Sequence, residues 1–232
     1  MNKKKNIFIS STGTGVGKTY CTVEIIKELI DRKVNVNVYK PILSGFDFNN
    51  IEESDSYKIL SAKNIIPKLE DIKKITPWLF EKPIAPSIAA IKENKKLRYN
   101  EVLDWCLKKI NNNNNEINIF EGAGGLEVPI EATSTVLNLI KDLDCKVILV
   151  VGNYLGSVSH SISAIKNIKS ENLEIINVII NKNTDDVIDI EDTEMLLKTT
   201  LDSEIKFRKV FQNDNNKNIS FKKITDDIIG FF

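Results

Sequence analysis

The sequence predicts an α/β fold in which a mostly parallel β-sheet carries helices on both faces. Short apolar segments alternate along the chain with longer segments of helical spacing. The apolar segments are nearly continuous, as in strands that are buried on both faces. Glycine or polar residues follow several of them, which is where ligands bind in such sheets. The chain has 232 residues and no linker rich in Gly, Ser or Pro, so we expect one domain over residues 1–232.

The predicted elements alternate along the chain from its start. Residues 6–10 form the first strand, a glycine-rich segment follows, and apolar residues at helical spacing predict a helix over 19–31. A second strand over 34–39 ends at Lys40 and Pro41, because proline lacks an amide donor. Further strands are predicted over 117–120, 146–151 and 175–180, and further helices over 54–61, 101–110, 159–169, 191–200 and 224–232.

Other segments carry weaker signals. Residues 44–97 contain four prolines and are expected to be loop-rich, as at the rim of a site. The five consecutive asparagines at 111–115 predict a solvated loop, since asparagine favours turns. On the helix over 191–200, we expect Met195, Leu196 and Leu197 to face inward.

Composition excludes several classes of function. The 32 Lys and Arg residues balance the 32 Asp and Glu residues, so the basic surface of a nucleic-acid or membrane-surface protein is missing. No apolar run approaches the ~18 residues of a membrane span. Cys21, Cys106 and Cys145 form no CxxC pair, which fits a reducing compartment. We therefore expect a cytoplasmic protein with no nucleic-acid or membrane partner.

The strongest functional motif is Gly15-Val16-Gly17-Lys18-Thr19, between a predicted strand and a predicted helix. Glycines let backbone N–H groups surround phosphate oxygens, lysine neutralises charge, and the threonine hydroxyl can bind Mg²⁺. The strict pattern G-x-x-x-x-G-K-S/T fails by one place, because residue 12 is threonine. The alternative is a glycine-rich turn that happens to precede Lys-Thr. The flanking elements favour a P-loop NTPase-like fold that binds a nucleoside triphosphate.

Polar residues at other strand ends are further candidates. Glu121 ends the third strand and can supply a carboxylate to Mg²⁺. Asp55, near the start of the helix predicted over 54–61, is a second candidate, although its local sequence favours a helix cap or a solvated charge. Lys40 follows the second strand, and this position favours a functional role over that of an ordinary surface lysine. The small residues at 122–125 let a substrate or phosphate approach the backbone, whereas His160 is predicted to be structural.

Taken together, these motifs resemble those of the dethiobiotin synthetases, ATP-dependent enzymes of biotin synthesis that carboxylate and cyclise a diamine. The matching segments, in the family's order and spacing, are residues 14–19 (TGVGKT), 39–45 (YKPILSG), 54–55 (SD), 83–86 (PIAP), 121–125 (EGAGG), 147–152 (VILVVG) with 155–156 (LG), and Asn181. The family's loop has the longer pattern G-x-x-x-x-x-G-K-T, and Ser11 stands here at its first glycine. Ser87 and Tyr154 are further departures, and the match fades beyond residue 182.

The resemblance implies a role for each matching residue. It assigns Mg²⁺ to Thr19, Asp55 and Glu121, and it assigns catalysis to Lys40, Lys18 and Thr14. Asn181 matches the residue that recognises the adenine edge. The implied ATP-binding residues are Gly15, Val16, Gly17, Lys18, Thr19, Tyr20, Asp55, Glu121, Gly122, Ala123, Gly124, Asn181 and Lys182. The implied substrate-binding residues are Ser44, Gly152, Leu155, Gly156, Ser157 and Ser159.

The resemblance also implies a reaction. An amino group of 7,8-diaminononanoate (diaminopelargonate) takes up CO₂ to form a carbamate, which attacks the γ-phosphate of ATP to give a carbamic-phosphoric anhydride. The second amine then closes the ureido ring of dethiobiotin and expels phosphate. Family members are homodimers that hold each diamine across the interface, and we expect residues 152–159 to reach the neighbour's substrate.

Three other readings remain open at this point. A ParA- or MinD-like ATPase switch has a signature lysine where this chain has Gly13. An amidoligase related to cobyrinic acid synthases normally carries an additional glutaminase domain, for which this chain is too short. A nucleotide-binding scaffold with a degenerate site is the third, and the presence of Lys18, Thr19, Asp55 and Glu121 argues against it.

Overall fold

The computed structural model describes residues 5–112, 116–183, 188–201, 204–211 and 217–232. In this part of the chain the strands are β1 (Asn6–Ser11), β2 (Val36–Tyr39), β3 (Ile42–Ser44), β4 (Trp78–Phe80), β5 (Ile117–Glu121), β6 (Pro129–Glu131), β7 (Ser134–Thr135), β8 (Lys146–Gly152), β9 (Ile175–Lys182) and β10 (Phe207–Phe211). The helices are α1 (Lys18–Asp31), α2 (Asp55–Ser61), α3 (Leu69–Ile75), α4 (Pro86–Lys92), α5 (Tyr99–Asn111), α6 (Val136–Asp142), α7 (Ser157–Ser170), α8 (Ile190–Thr200) and α9 (Lys217–Phe231), with a 3₁₀ turn over Ile51–Glu53.

A six-stranded parallel sheet forms the centre of the fold. Its strand order is β10-β9-β8-β1-β5-β2, so β1 lies between β8 and β5. Every residue of β1 and β5 is buried. Because successive side chains of a strand point to opposite faces, both faces of the sheet are covered. Helix α1 packs with α2 and α9, and α7 packs with α8. The predicted α/β fold is therefore confirmed.

The main elements predicted from periodicity are present, and most of their ends shift by one or two residues. The sequence predicted α2, but it gave no sign of β3, β4, α3 and α4 in the same region, nor of β6, β7, α6 and β10 later in the chain. In the region 42–92, β3 and β4 pair in parallel, and the same region contains the three short helices α2, α3 and α4. Elements of three to seven residues are too short to show a period, so a region that was expected to be loop-rich is more regular than predicted. The last helix also begins earlier, at Lys217.

One prediction about the helix over 191–200 is wrong. Leu197 is fully buried, but Met195 is 58% exposed and Leu196 is 47% exposed. Consecutive residues of a helix are about 100° apart around its axis, so three in a row do not share one face. The correct inward residues of α8 follow helical spacing: Ile190, Thr193 and Leu197.

Three further observations concern the end of α5, the cysteines and the apolar character of the helices. Asn111 ends helix α5 and Asn112 follows it, whereas residues 113–115 of the asparagine run lie outside the described residues. Cys21, Cys106 and Cys145 are all buried and unpaired as disulfides. Among the helices of the described ranges, none has the length and apolar character needed to cross a membrane.

Candidate functional site

The ends of three neighbouring strands bring the predicted site residues together. In the parallel ladders, Ile9 pairs with Glu121 and Tyr39 pairs with Phe120. The residue after Tyr39 is Lys40, so strand register places it beside Glu121. The loop between β1 and α1 (residues 12–17, the P-loop) leaves the sheet at the same edge. The strand ends thus bring Lys40, Glu121 and the P-loop to one edge of the sheet.

Two lysines and two carboxylates form a charged cluster at this edge. Lys40 Nζ lies 2.6 Å from Glu121 Oε1 and 2.9 Å from Asp55 Oδ2. Lys18 Nζ lies 3.4 Å from the same Glu121 oxygen. Thr19 Oγ1 donates a hydrogen bond to it at 2.9 Å. The side chain of Lys40 is 2% exposed and that of Glu121 is fully buried, so these opposite charges compensate each other away from water.

The pKa values of the cluster follow from competition between burial and charge. Burial disfavours the Lys40 ammonium, but Glu121 and Asp55 outweigh burial and raise the pKa of Lys40. Burial likewise opposes ionisation of Glu121, yet Lys18 and Lys40 lower its pKa below the usual range. Lys18 differs because burial dominates and lowers its pKa. Lys40 and Glu121 therefore stay charged at neutral pH, and the Lys18 proton is more easily lost than that of Lys40.

The oxygen atoms of the cluster fit a Mg²⁺ ion. Thr19, Asp55 and Glu121 supply a hydroxyl and two carboxylates, and Mg²⁺ prefers oxygen ligands and keeps several waters. Glu121 Oε2 is buried and has no hydrogen-bond partner within the described ranges. The ammonium of Lys40 lies between the two carboxylates, as a cation would. No group of three or more His, Cys, Asp or Glu side chains suited to a metal occurs in the described part of the chain, so a metal here would also use waters and phosphate oxygens.

The P-loop has the backbone that phosphate binding requires. Gly15 and Gly17 have φ values of 77° and 85°, a left-handed conformation that other residues rarely adopt. Gly17 precedes helix α1, and Lys18 and Thr19 open that helix. Backbone N–H groups at a helix N-terminus bind anions, and a lysine beside them adds positive charge. This arrangement supports the predicted phosphate site.

Ser11 connects the P-loop to the glycine-rich loop after β5 (residues 122–125). Its hydroxyl proton is shared between two backbone carbonyls, that of Gly13 at 2.8 Å and that of Gly124 at 3.0 Å. The two loops also approach closely, because a Cβ atom at Gly125 would lie 3.2 Å from the Ser11 carbonyl oxygen. The serine that replaces the family's glycine therefore has a structural role that the sequence did not reveal.

We expect Ser11→Ala to lower the free energy of unfolding by about 1 kcal/mol, the net value of a typical intramolecular hydrogen bond. Urea denaturation measures this change in the free energy of unfolding. Ser10→Ala is the matched control, because Ser10 is adjacent and equally buried, and its hydroxyl has no partner among the residues described. Equal losses for the two variants would show that the Ser11 hydroxyl contributes nothing through its contacts with the two loops.

A cavity of about 530 Å³ opens at this edge of the sheet. Ser44 Oγ and Tyr20 Oη are buried at its wall without a hydrogen-bond partner in the described ranges, so both are available to a ligand. Burial also raises the pKa of Tyr20 to about 12, which keeps its hydroxyl protonated. The predicted residues that line the cavity are Thr14, Gly15, Gly17, Lys18, Thr19, Tyr20, Lys40, Ser44, Asp55, Ala123 and Gly124.

Some lining residues were not predicted as site residues. Pro83, Ile84, Ala85 and Pro86 form one wall, and their motif was recognised in the sequence without being given a role. Val128 also lines the cavity, and nothing in its local sequence marks it.

Other predicted site residues lie outside the cavity lining. Glu121 and Gly122 are buried and do not line it, and Glu121 contacts the lining residues Lys18, Lys40 and Thr19. The predicted substrate residues Gly152, Leu155, Gly156, Ser157 and Ser159 lie at the end of β8 and the start of α7, away from the lining. In this segment Leu155 is 90% exposed. His160 is also exposed, and its Nδ1 lies 2.9 Å from the Tyr154 hydroxyl.

Asn181 and Lys182 end strand β9, next to the P-loop rather than in the cavity wall. Asn181 is fully buried, and its Nδ2 donates a hydrogen bond to the carbonyl of Val16 at 2.9 Å. Val16 is also absent from the cavity lining. The two predicted ATP-binding residues Val16 and Asn181 are therefore joined to each other on the outer side of the loop.

Comparisons with known proteins agree with this site. The model of a family described as an AAA domain matches residues 5–215. The chain is 32% identical over 178 residues to the ATP-dependent dethiobiotin synthetase BioD of Phenylobacterium zucineum, covering 77% of this chain and 76% of that protein. It is also 32% identical to BioD of Methylobacterium nodulans over 180 residues, covering 76% of this chain and 80% of that protein.

Solved structures show the same fold in more distant proteins. The MinC:MinD cell division complex of Aquifex aeolicus superposes with a TM-score of 0.59 at 15% identity, covering 97% of this chain and 96% of that chain. At this identity the similarity shows a shared P-loop fold and says nothing about activity. It therefore lends no support to a MinD-like switch.

Proposed function

Because the chain belongs to the ATP-dependent dethiobiotin synthetase family, we propose that it converts 7,8-diaminononanoate, CO₂ and ATP into dethiobiotin, ADP and phosphate. It is an ATP-dependent ligase of biotin biosynthesis. The observation that carries the detailed proposal is the cluster of Lys18, Lys40, Asp55 and Glu121 beside a cavity whose wall includes the P-loop. Such a cluster suits a reaction whose intermediates are anions.

ATP binds with its phosphates on the P-loop in this proposal. The N–H groups of the loop and the ammonium of Lys18 hold the phosphate oxygens. Thr19, Asp55 and Glu121 would hold Mg²⁺, which supplies positive charge against the β- and γ-phosphates when bound. Asn181 Oδ1, buried and unpartnered among the described residues, is an acceptor for the amino group of adenine, with Lys182 beside it.

The chemistry then takes place in the cavity. One amine of the substrate attacks CO₂ and loses a proton, giving a carbamate. A carbamate oxygen attacks the γ-phosphorus and ADP leaves, so a carbamic-phosphoric anhydride forms. The second amine attacks the anhydride carbonyl and loses a proton, and phosphate departs with the carbamate oxygen. Each step keeps negative charge near the phosphates, and no covalent bond to the enzyme is needed.

Lys40 and Ser44 are the side chains that meet the reacting carbamate. Both line the cavity, and the Lys40 ammonium remains charged because of its two carboxylate neighbours. It stabilises negative charge on the carbamate and on the transferred phosphoryl group, with Lys18 on the nucleotide side and Thr14 donating a hydrogen bond. Ser44 Oγ, which has no partner in the described chain, positions an amine of the substrate.

A second subunit completes the substrate site in this proposal. Residues 152–159 do not line the cavity of their own subunit, and Leu155 projects into solvent. Gly156 has a φ of 93° and precedes helix α7, which presents backbone N–H groups to an anion such as a carboxylate. A homodimer that apposes this segment to the neighbour's cavity accounts for both observations.

The diamine dependence of ADP release tests the proposed function. We expect ADP to form only when ATP, Mg²⁺, bicarbonate-derived CO₂ and 7,8-diaminononanoate are all present, because phosphoryl transfer needs the carbamate as acceptor. A coupled assay for ADP measures it, with an active dethiobiotin synthetase as the positive control. ADP release that is the same with and without the diamine would refute the proposal.

A further inference from the structure

The carbonyl of Val16 is held from outside the P-loop by a side chain of another strand. Asn181 lies 165 residues later, at the end of β9, and its Nδ2 donates to the Val16 oxygen at 2.9 Å. The bond is buried, and Asn181 itself is fully buried. A buried hydrogen bond is shielded from competing water, so it fixes the peptide that it joins.

Val16 is also fixed through its side chain. It is 5% exposed, and a Cβ atom placed at Gly152 would lie 3.2 Å from its Cγ1. Gly152 pairs with Asn181 across the β8–β9 ladder. The ends of β8 and β9 thus support one residue of the loop from two sides. The neighbours of Val16, Gly15 and Gly17, are both left-handed and line the cavity.

We propose that Asn181 is a positioning residue for the phosphate-binding loop. By holding the Val16 carbonyl on the outer side, it keeps the loop in the shape whose N–H groups face the phosphates. The inference rests on the proposed function, in which the P-loop binds the phosphates of ATP. It goes beyond recognition of the base, because it predicts that Asn181 affects the binding of a polyphosphate that has no base at all.

Binding of inorganic tripolyphosphate with Mg²⁺ tests this role. Isothermal titration calorimetry would compare the wild-type chain with Asn181→Ala and with Asn181→Leu, which is close to asparagine in size and also uncharged. ATP is titrated in parallel.

Asn177 provides a matched control. It lies on the same strand and is fully buried, its Nδ2 donates to Asp227 at 2.8 Å, and its Oδ1 has no partner in the described ranges. Asn177→Ala and Asn177→Leu therefore also remove one hydrogen bond donated by a buried asparagine, here to a carboxylate away from the P-loop. Thermal melting shows whether the two pairs of variants are similarly destabilised.

We expect the Asn181 variants to bind tripolyphosphate roughly five- to tenfold more weakly, the effect of losing about one hydrogen bond. The Asn177 variants should bind it as the wild type does. Weaker binding of ATP with unchanged binding of tripolyphosphate would overturn the inference, because Asn181 would then act on the base alone. Equal losses in both pairs would also overturn it, because they would reflect general destabilisation.

A second measurement needs no variant. In ¹⁵N–¹H spectra of the wild-type chain, tripolyphosphate should shift the side-chain amide signals of Asn181 and leave those of Asn177 in place. Unchanged Asn181 signals at saturating tripolyphosphate would contradict the inference. Turnover of the diamine by the wild type separates the role of Asn181 from the proposed function. Turnover without the expected Asn181 effects refutes the role of Asn181 alone. Absence of both turnover and tripolyphosphate binding refutes the proposed function as well.

Discussion

Lys40→Met is expected to lower the rate of dethiobiotin formation by roughly 10³-fold, the scale on which a positive charge at a phosphoryl-transfer site acts. The variant keeps an unbranched apolar side chain of similar length and removes the ammonium. That ammonium lies 2.6 Å from Glu121 and 2.9 Å from Asp55, at the wall of the cavity. Binding of Mg-ADP should remain within a few-fold of wild type, because Lys18 and the P-loop are untouched.

Single-turnover kinetics and calorimetry with Mg-ADP measure the two quantities separately. Removing one partner of a buried ion pair costs about 3–5 kcal/mol, so the melting temperature must be followed to confirm that the variant is folded. Lys27→Met is the control, since Lys27 is exposed on α1 and its ammonium contacts Glu24. Wild-type turnover in a folded Lys40→Met variant would remove Lys40 from the mechanism.

Glu121→Gln is expected to lower turnover by roughly 10²- to 10³-fold, the scale of losing one well-placed polar group in an active site. The change is isosteric, but it removes the negative charge that Lys18 and Lys40 share and that a metal requires. We therefore also expect the Mg²⁺ concentration for half-maximal rate to rise at least about tenfold, the change that 1.4 kcal/mol of lost metal binding produces.

A Mg²⁺ titration at fixed ATP measures both effects of Glu121→Gln. Glu127→Gln is the matched control, because Glu127 is an exposed glutamate just beyond the same loop, where it accepts a hydrogen bond from Asn167. An unchanged Mg²⁺ dependence in Glu121→Gln would show that this carboxylate does not hold the metal.

The positions and ends of the main strands were accessible from the sequence because long apolar segments have a clear pattern, whereas the order of the strands in the sheet was not predicted. Lys40 after one strand and Glu121 at the end of another were both expected at the ligand-binding edge of the sheet, and the parallel register brings them into contact. Short elements such as β3 and β4 were missed because three residues carry no period. Met195 and Leu196 were misplaced because their apolar character was weighed above their spacing. The prediction of one domain over the whole chain stays a prediction.

Asp55 shows where local reasoning was insufficient. Its sequence allowed a helix cap, but the cap of α2 is Ser54, whose Oγ accepts a hydrogen bond from the backbone N–H of Tyr57. Asp55 is the next residue and contacts Lys40 instead. Local sequence left a metal-binding role for Asp55 open, and the family resemblance favoured it. The bonds from Ser11 to Gly124 and from Asn181 to Val16 join residues more than 100 positions apart, and no local pattern encodes them.

Transfer of isotopes from CO₂ to the products is the sharpest test of the proposed reaction. The chain would be incubated briefly with ATP, Mg²⁺, 7,8-diaminononanoate and CO₂ labelled with ¹³C and ¹⁸O, and the products would be analysed by mass spectrometry. The proposed route places the ¹³C in the ureido carbon of dethiobiotin and one ¹⁸O in each phosphate released, because phosphate leaves with the carbamate oxygen. A chain that forms no ¹³C-labelled cyclic product, or that forms it with unlabelled phosphate, would contradict the account.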